Sequence, residues 1–386
     1  MCIRPLSKEN LAKIHQFKYK YKNDSILSNC CISPFLNIII KCLPKALTPN
    51  LISLFLLIYN LIAFFFTVKE GWFDFSLHLQ SSTCFIIGFS HLFYLIIDNL
   101  YGKQAKIIDN STPFSILMVY GCDIFTNIIM AYNLTKLLII GNEYFDSFSV
   151  FFGIMLGFYM MTYENYKVGE MYFPPINWVD EGNFAMFIIG VVCGFIGQDW
   201  LNNSLKSIGI AKGTFISEFS FYNLQFGNMI GKIITTLGII TWAILYLHTY
   251  QKKGCLENIK TFFDNISFYS CLFVPIIYIY YKEIFYYLSK WILIINSCLM
   301  FARVTLDLQI KIVTMDAYKC NFVFVFSNII FISSIFINNY QANLYILVFL
   351  AIFQIVELVV FIFVRSREIT DYLGIHIFFT QPLEQK

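Results

Sequence analysis

The chain has 386 residues, of which 58% are hydrophobic and 13% charged, and a mean hydropathy of +0.65. These values lie outside the range of ordinary soluble domains and specify an all-α, polytopic integral membrane protein. A formal net charge of +3 gives no reason to expect a nucleic-acid partner, because basic residues in such a chain serve to orient its helices.

Residues 1–49 read as an N-terminal amphipathic, interfacial segment. Ser7 is placed to cap a helix, Glu9 suits its first turn, and Leu11, Ile14, Phe17 and Tyr21 form a partial apolar stripe among lysines. The pattern fits a helix lying on the membrane surface and, equally, a contact helix for a protein partner. Met1 to Asn50 lacks a charged head followed directly by a short apolar core, so no cleavable signal peptide is expected. Thr48 is positioned to cap the first span, with Pro49 at the first helical position, where a missing N–H costs nothing.

Crossing a hydrocarbon layer of about 30 Å takes roughly 20 mostly apolar helical residues. Ten candidate spans follow, near 50–68, 82–101, 113–134, 147–163, 183–200, 228–248, 266–281, 284–302, 321–338 and 343–364. They define a transmembrane domain over 50–364 and a C-terminal tail over 365–386. Ten crossings put both termini on one face, together with the loops after even-numbered spans. Twenty of the 27 Lys and Arg residues fall on that face, which marks it as the cytoplasmic or matrix side. The stretch from Leu201 to Asn228, on the opposite face, is a candidate docking surface or a simple connection.

The eleven cysteines are scattered without CxxC pairs and read as reduced apolar fillers. The five histidines are too dispersed to suggest a metal cluster, and no Gly-rich phosphate loop or serine-hydrolase arrangement is present.

The run Asp98-Asn99-Leu100-Tyr101-Gly102-Lys103-Gln104-Ala105-Lys106, followed by Gly121-Cys122-Asp123, resembles the signature of the CDP-alcohol phosphotransferases. Lys18-Tyr19, Tyr163-Glu164-Asn165-Tyr166, Phe173-Pro174-Pro175-Ile176-Asn177 and Glu181-Gly182 resemble segments of the choline/ethanolamine branch. Fainter similarity extends to Arg303-Val304-Thr305 and Ile375-His376-Ile377. The resemblance implies attack of a diacylglycerol hydroxyl on the β-phosphate of a CDP-alcohol, with release of CMP. It also implies two magnesium ions held by four aspartates, paired one helical turn apart.

Laid on this chain, the four ligand positions are Asp98, Tyr101, Val119 and Asp123. Tyrosine, with an unperturbed pKa near 10, is a poor magnesium ligand, and valine cannot coordinate at all. The family's arginine is Lys106, its second motif glycine is Ser115, and the histidine that would act as base on the lipid hydroxyl is Tyr120. Gly102, Lys103, Gln104 and Lys106 are the candidate substrate-binding residues, and Asp98 and Asp123 the residual metal ligands. A carboxylate inside an apolar span is costly unless paired or functional. Glu164 and Glu181 are expected to close salt bridges or hydrogen bonds.

The resulting expectation is a pseudoenzyme that needs no cofactor, binds membrane phospholipid and serves as a subunit of a membrane complex with protein partners. Its location is the mitochondrial inner membrane or the endoplasmic reticulum/Golgi. The alternative is an active divergent transferase in which Asp98, Asp123 and one magnesium, with Lys103, move a phosphoalcohol onto diacylglycerol.

Overall fold

The computed structural model describes residues 5–44, 47–72, 74, 76–107, 112–140, 144–209, 224–253, 265–281, 287–318, 322–337 and 339–375. The leader opens with helix α1 (Lys8–Ile14), where the Ser7 hydroxyl accepts a hydrogen bond from the Asn10 N–H at 3.1 Å. Its one buried residue, Ile14, packs with Phe114, Val313 and Ile369. The helix therefore lies against the bundle of its own chain. The expected stripe does not continue along it. Tyr21 belongs to strand β1 (Tyr21–Asn23), which pairs in parallel with β2 (Met171–Phe173) in the register Tyr21↔Met171. Those ladder hydrogen bonds hold the chain extended where side-chain periodicity alone suggested a longer helix.

A second leader segment runs through a π-helical turn (Ser28–Ile32), α2 (Ser33–Ile39) and a 3₁₀ turn (Ile40–Cys42). Its Ile32 and Leu36 pack on Leu95 and Leu100 of α4 (Ser81–Ile107).

The remaining helices are α3 (Pro49–Lys69), α5 (Pro113–Leu137), α6 (Tyr144–Val168), α7 (Asn183–Ile196), α8 (Phe226–Lys253), α9 (Ile266–Tyr281), α10 (Tyr287–Thr314), α11 (Phe322–Ile335) and α12 (Tyr340–Leu373). Each of the ten expected spans coincides with one of α3 to α12. Among the described residues, seven helices are long and apolar enough to cross a membrane, at Pro49–Lys69, Ser81–Gln104, Pro113–Leu137, Trp178–Ile196, Phe226–Thr249, Trp291–Thr314 and Tyr340–Leu373. The chain is an integral membrane protein of all-α architecture.

Helix starts follow local chemistry. Thr48 caps α3 ahead of Pro49, Thr112 caps α5 ahead of Pro113, and Asn339 caps α12. The last helix is longer than its apolar run suggests. It continues past 364 to Leu373 and stops at Gly374, whose left-handed backbone (φ 62°) is open to glycine without a Cβ penalty.

Burial separates the centre of the bundle from its rim. In α10, 78% of the apolar window is buried and in α5, 61%, against 22% in α8. Helices α5 and α10 are thus the core, while α3, α8 and α12 turn large apolar side chains outward, among them Phe55, Ile58, Phe65, Ile240 and Phe363. Two crossings depend on glycine. A Cβ on Gly88 of α4 would come within 3.1 Å of the Gly190 Cα in α7, and one on Gly238 of α8 within 2.7 Å of the Gly153 Cα in α6. Small residues let these backbones touch, as membrane helices require when packing rather than water drives association.

Candidate functional site

The motif residues lie where the leader, α4, α5 and the turn at Trp178–Gly182 converge. Asp123 of α5 is 3% exposed, and Asp98 of α4 is half-buried. Asp98 lies within electrostatic reach of both Asp123 and Asp180. Among the described residues, neither the Asp98 nor the Asp123 carboxylate accepts a hydrogen bond. This is an expensive arrangement in an apolar bundle, and it is relieved by a proton or a cation.

Half-buried Tyr101 and buried Val119 stand at the two positions that the resemblance reads as the other metal ligands. The other nearby carboxylate, Asp180, is already engaged. Asn99 donates to its Oδ1 at 2.8 Å, and Asn23 to its Oδ2 at 3.3 Å. Ser28 completes the cluster by donating to the Asn99 Oδ1 at 2.9 Å. Among the described residues, no three His, Cys, Asp or Glu side chains are gathered as a metal site. This donor set does not fit a pair of magnesium ions. Asp98 and Asp123 would offer two carboxylates to a single ion.

At the position of the family's base, the Tyr120 hydroxyl is hydrogen-bonded to the Tyr19 hydroxyl of the leader and lies 3.0 Å from the Met171 Sδ. Burial pushes the Tyr19 phenol above its ordinary pKa. The hydrogen bond from Tyr120 opposes that shift, and the charges of Asp98 and Asp123 add to it. Tyr19 therefore remains a neutral phenol at physiological pH, closing the leader over the motif.

The retained motif residues also face the leader. Lys103 Nζ donates to the Ser33 Oγ at 2.8 Å, the Ser33 carbonyl at 3.2 Å and the Asn37 Oδ1 at 2.6 Å. Buried Gln104 donates through Nε2 to the carbonyls of Leu47 at 3.0 Å and Pro44 at 3.3 Å. Gly102 has nothing within 4 Å of where a Cβ would stand, so packing does not require glycine there. The Lys106 side chain lies outside the described residues. Glu164 is hydrogen-bonded to His248, and Glu181 accepts from the Ser25 hydroxyl at 2.8 Å and from the N–H groups of Leu27 and Asn177 at 3.0 Å each. Both glutamates play the pairing roles expected of them. Residues 210–223 of the proposed docking stretch lie outside the described residues.

Sequence reasoning missed Asp180, Asn99 and Met171. Asp180 carried a usable signal, an acidic side chain at the mouth of an apolar span. The other two carried none.

The opposite side of α5 is apolar. A cavity of about 210 Å³ is lined by Leu54, Leu57, Leu117, Gly121, Phe125, Leu306 and Phe361, with Arg365 at one end. A second, of about 250 Å³, is lined by Phe64, Phe125, Ile128, Tyr132, Phe151 and Trp291. Phe125 borders both. At 3.6 residues per turn, Leu117, Gly121, Phe125, Ile128 and Tyr132 form one stripe along α5, turned away from Val119, Asp123 and Asn127. The wall opposite is fastened within the bundle by Arg303 of α10, whose Nε lies 2.9 Å from both carboxylate oxygens of Glu357 on α12 and whose guanidinium stacks 3.5 Å from the Phe361 ring centroid.

No protein-family model matches the chain. Its curated relatives are members of the CDP-alcohol phosphatidyltransferase class-I family, choline/ethanolaminephosphotransferases among them. The chain is 30% identical over 204 residues to uncharacterized CDP-alcohol phosphatidyltransferase class-I family protein 3 of Dictyostelium discoideum, covering 52% of this chain and 48% of that protein. It is 27% identical over 253 residues to cholinephosphotransferase 1 of Gallus gallus, covering 61% and 72% of the two chains. It is 25% identical over 203 residues to ethanolaminephosphotransferase 1 of Homo sapiens, covering half of each. The matched region thus spans about half the length of two of these three relatives.

Proposed function

We propose that this protein is a catalytically degenerate member of the CDP-alcohol phosphotransferase family, kept as a phospholipid-binding, architectural subunit of a larger membrane complex. The observation that carries this reading is the new use of the motif. Lys103 and Gln104 hydrogen-bond the leader, Tyr120 is tied to Tyr19, and Tyr101 and Val119 stand where two metal ligands are needed. Residues that would face a nucleotide in a transferase here fasten one part of the chain to another. The two apolar cavities along α5 give acyl chains a place inside the bundle.

Extraction in mild detergent tests the architectural part. Stoichiometric protein partners and phospholipid should co-purify with the chain, whereas a lipid-free solitary monomer or homodimer overturns the reading. Fractionation then separates a mitochondrial inner-membrane location from the endoplasmic reticulum or Golgi.

One observation favours a second reading, an active transferase with a single magnesium. The Asp98 and Asp123 carboxylates lie within electrostatic reach of each other and accept no hydrogen bond among the described residues. A magnesium ion bound there would neutralise phosphate charge and steady the CMP leaving group. In that reading, the chain's own residues would hold the ion from one side only.

A further inference from the structure

A third cavity is separate from the motif. It has a volume of about 630 Å³ and opens between the leader and the ends of α6 and α10. Lys18, Lys20, Lys167 and Lys311 line it, with Asp316 as the one acidic residue of its wall among the described residues. Lys18 and Lys20 flank Tyr19 in the non-helical run before β1. In an extended chain successive side chains point to opposite sides, so Tyr19 turns to Tyr120 while its two lysine neighbours turn into this basin. The leader strand divides the two sites.

We propose that this basin binds the headgroup of an anionic phospholipid carrying more than one phosphate charge. Lys311 Nζ lies 2.6 Å from the Asp316 Oδ2. Burial works against the charged form of Asp316, but the Lys311 hydrogen bond and charge prevail and hold its carboxyl below the usual range, so this pair stays ionised. With that pair balanced, exposed Lys18 and Lys20 still bring positive charge to the wall. A zwitterionic headgroup offers no net charge to match them, whereas a diphosphorylated one does. With the ten-span topology read from the sequence, the site falls on the face carrying most of the chain's basic residues, where basic pockets between membrane helices meet anionic lipid headgroups. Phe17, Ile312 and Met315 line the same cavity, and apolar atoms beside ammonium groups suit an amphiphile better than a free ion.

The test uses the purified full chain in detergent and a fluorescence binding titration with three probes: dioctanoyl phosphatidylinositol bisphosphate, dioctanoyl phosphatidylcholine and sodium pyrophosphate. The bisphosphate lipid should bind and phosphatidylcholine should not. Lys18→Gln and Lys20→Gln should each weaken binding about fivefold, on the order of the effect of one basic residue near an anionic surface. Added salt should weaken binding in the parent protein, because the site is open to solvent. Both lysines are exposed, and an unchanged melting temperature confirms that the variants fold. Equal binding of phosphatidylcholine, indifference to both substitutions or indifference to salt would overturn the proposal. Pyrophosphate competing as strongly as the lipid would overturn the lipid assignment and give the basin to a soluble phosphate compound.

Discussion

The two faces of α5 place different demands on the sequence. On one face, Tyr120 is tied to Tyr19 of the leader and lies against Met171, and Asp123 lies within electrostatic reach of Asp98 on α4. On the other, Leu117, Gly121 and Phe125 border space that no side chain fills. Metal chemistry depends on particular oxygen atoms, so a change at a single ligand is enough to abolish it. An apolar cavity depends only on shape and transfer free energy, so many sequences preserve it. In the reading proposed above, that difference would let the chain lose a reaction and still hold lipid.

The largest effect should come from the wall of the apolar side. Glu357→Ala leaves Arg303 inside the bundle with only its longer contact to Asp307 at 3.6 Å, and is expected to cost about 3 kcal/mol, read as a large fall in melting temperature in detergent. An unchanged melting temperature would show that the ion pair does not fasten α10 to α12. Next is Lys103→Ala, which removes charge-assisted hydrogen bonds to Ser33 and Asn37 worth about 1.5–3 kcal/mol. Amide exchange across 28–42 should then accelerate about tenfold or more, while exchange in α10 stays as it was. If 28–42 remains protected, the motif does not hold the leader.

Gly121→Phe sharpens the contrast from the apolar side. It should fill the smaller cavity at a cost of about 1–3 kcal/mol and reduce co-purifying phospholipid. Asp123→Asn, on the opposite face, should leave the lipid content unchanged. Equal lipid content in Gly121→Phe and the parent would place the lipid elsewhere. The smallest effect belongs to Tyr120→Phe. Losing the hydroxyl that meets Tyr19 and Met171 should cost about 0.5–1.5 kcal/mol in thermal or denaturant unfolding.

Much of the helix order was legible because the solvent dictates it. A stretch such as Leu51 to Val68 has only one way to satisfy its backbone in hydrocarbon, and Thr48-Pro49 marks where it starts. The leader was only partly legible. Ser7 and Glu9 signal a helix, but Tyr21 joins a parallel ladder with Met171, a contact 150 residues away that no local period encodes. In the candidate site, the two absent carboxylates could be read directly at Tyr101 and Val119. The new partners of Lys103 and Gln104 could not, since hydrogen bonds to Ser33 and to the Leu47 carbonyl arise only once the leader has folded back on α4. The apolar cavities were hidden for a different reason. In a chain with 43 phenylalanines, one more apolar stripe carries no distinguishing mark.

The most direct test of the account is transferase activity. Purified protein is incubated with diacylglycerol, magnesium and either CDP-choline or CDP-ethanolamine, and CMP release is measured. No magnesium-dependent release above the protein-free blank is expected, from the parent or from Asp123→Asn. Magnesium-dependent CMP release by the parent that Asp123→Asn abolishes would contradict the account and establish a working centre on two carboxylates.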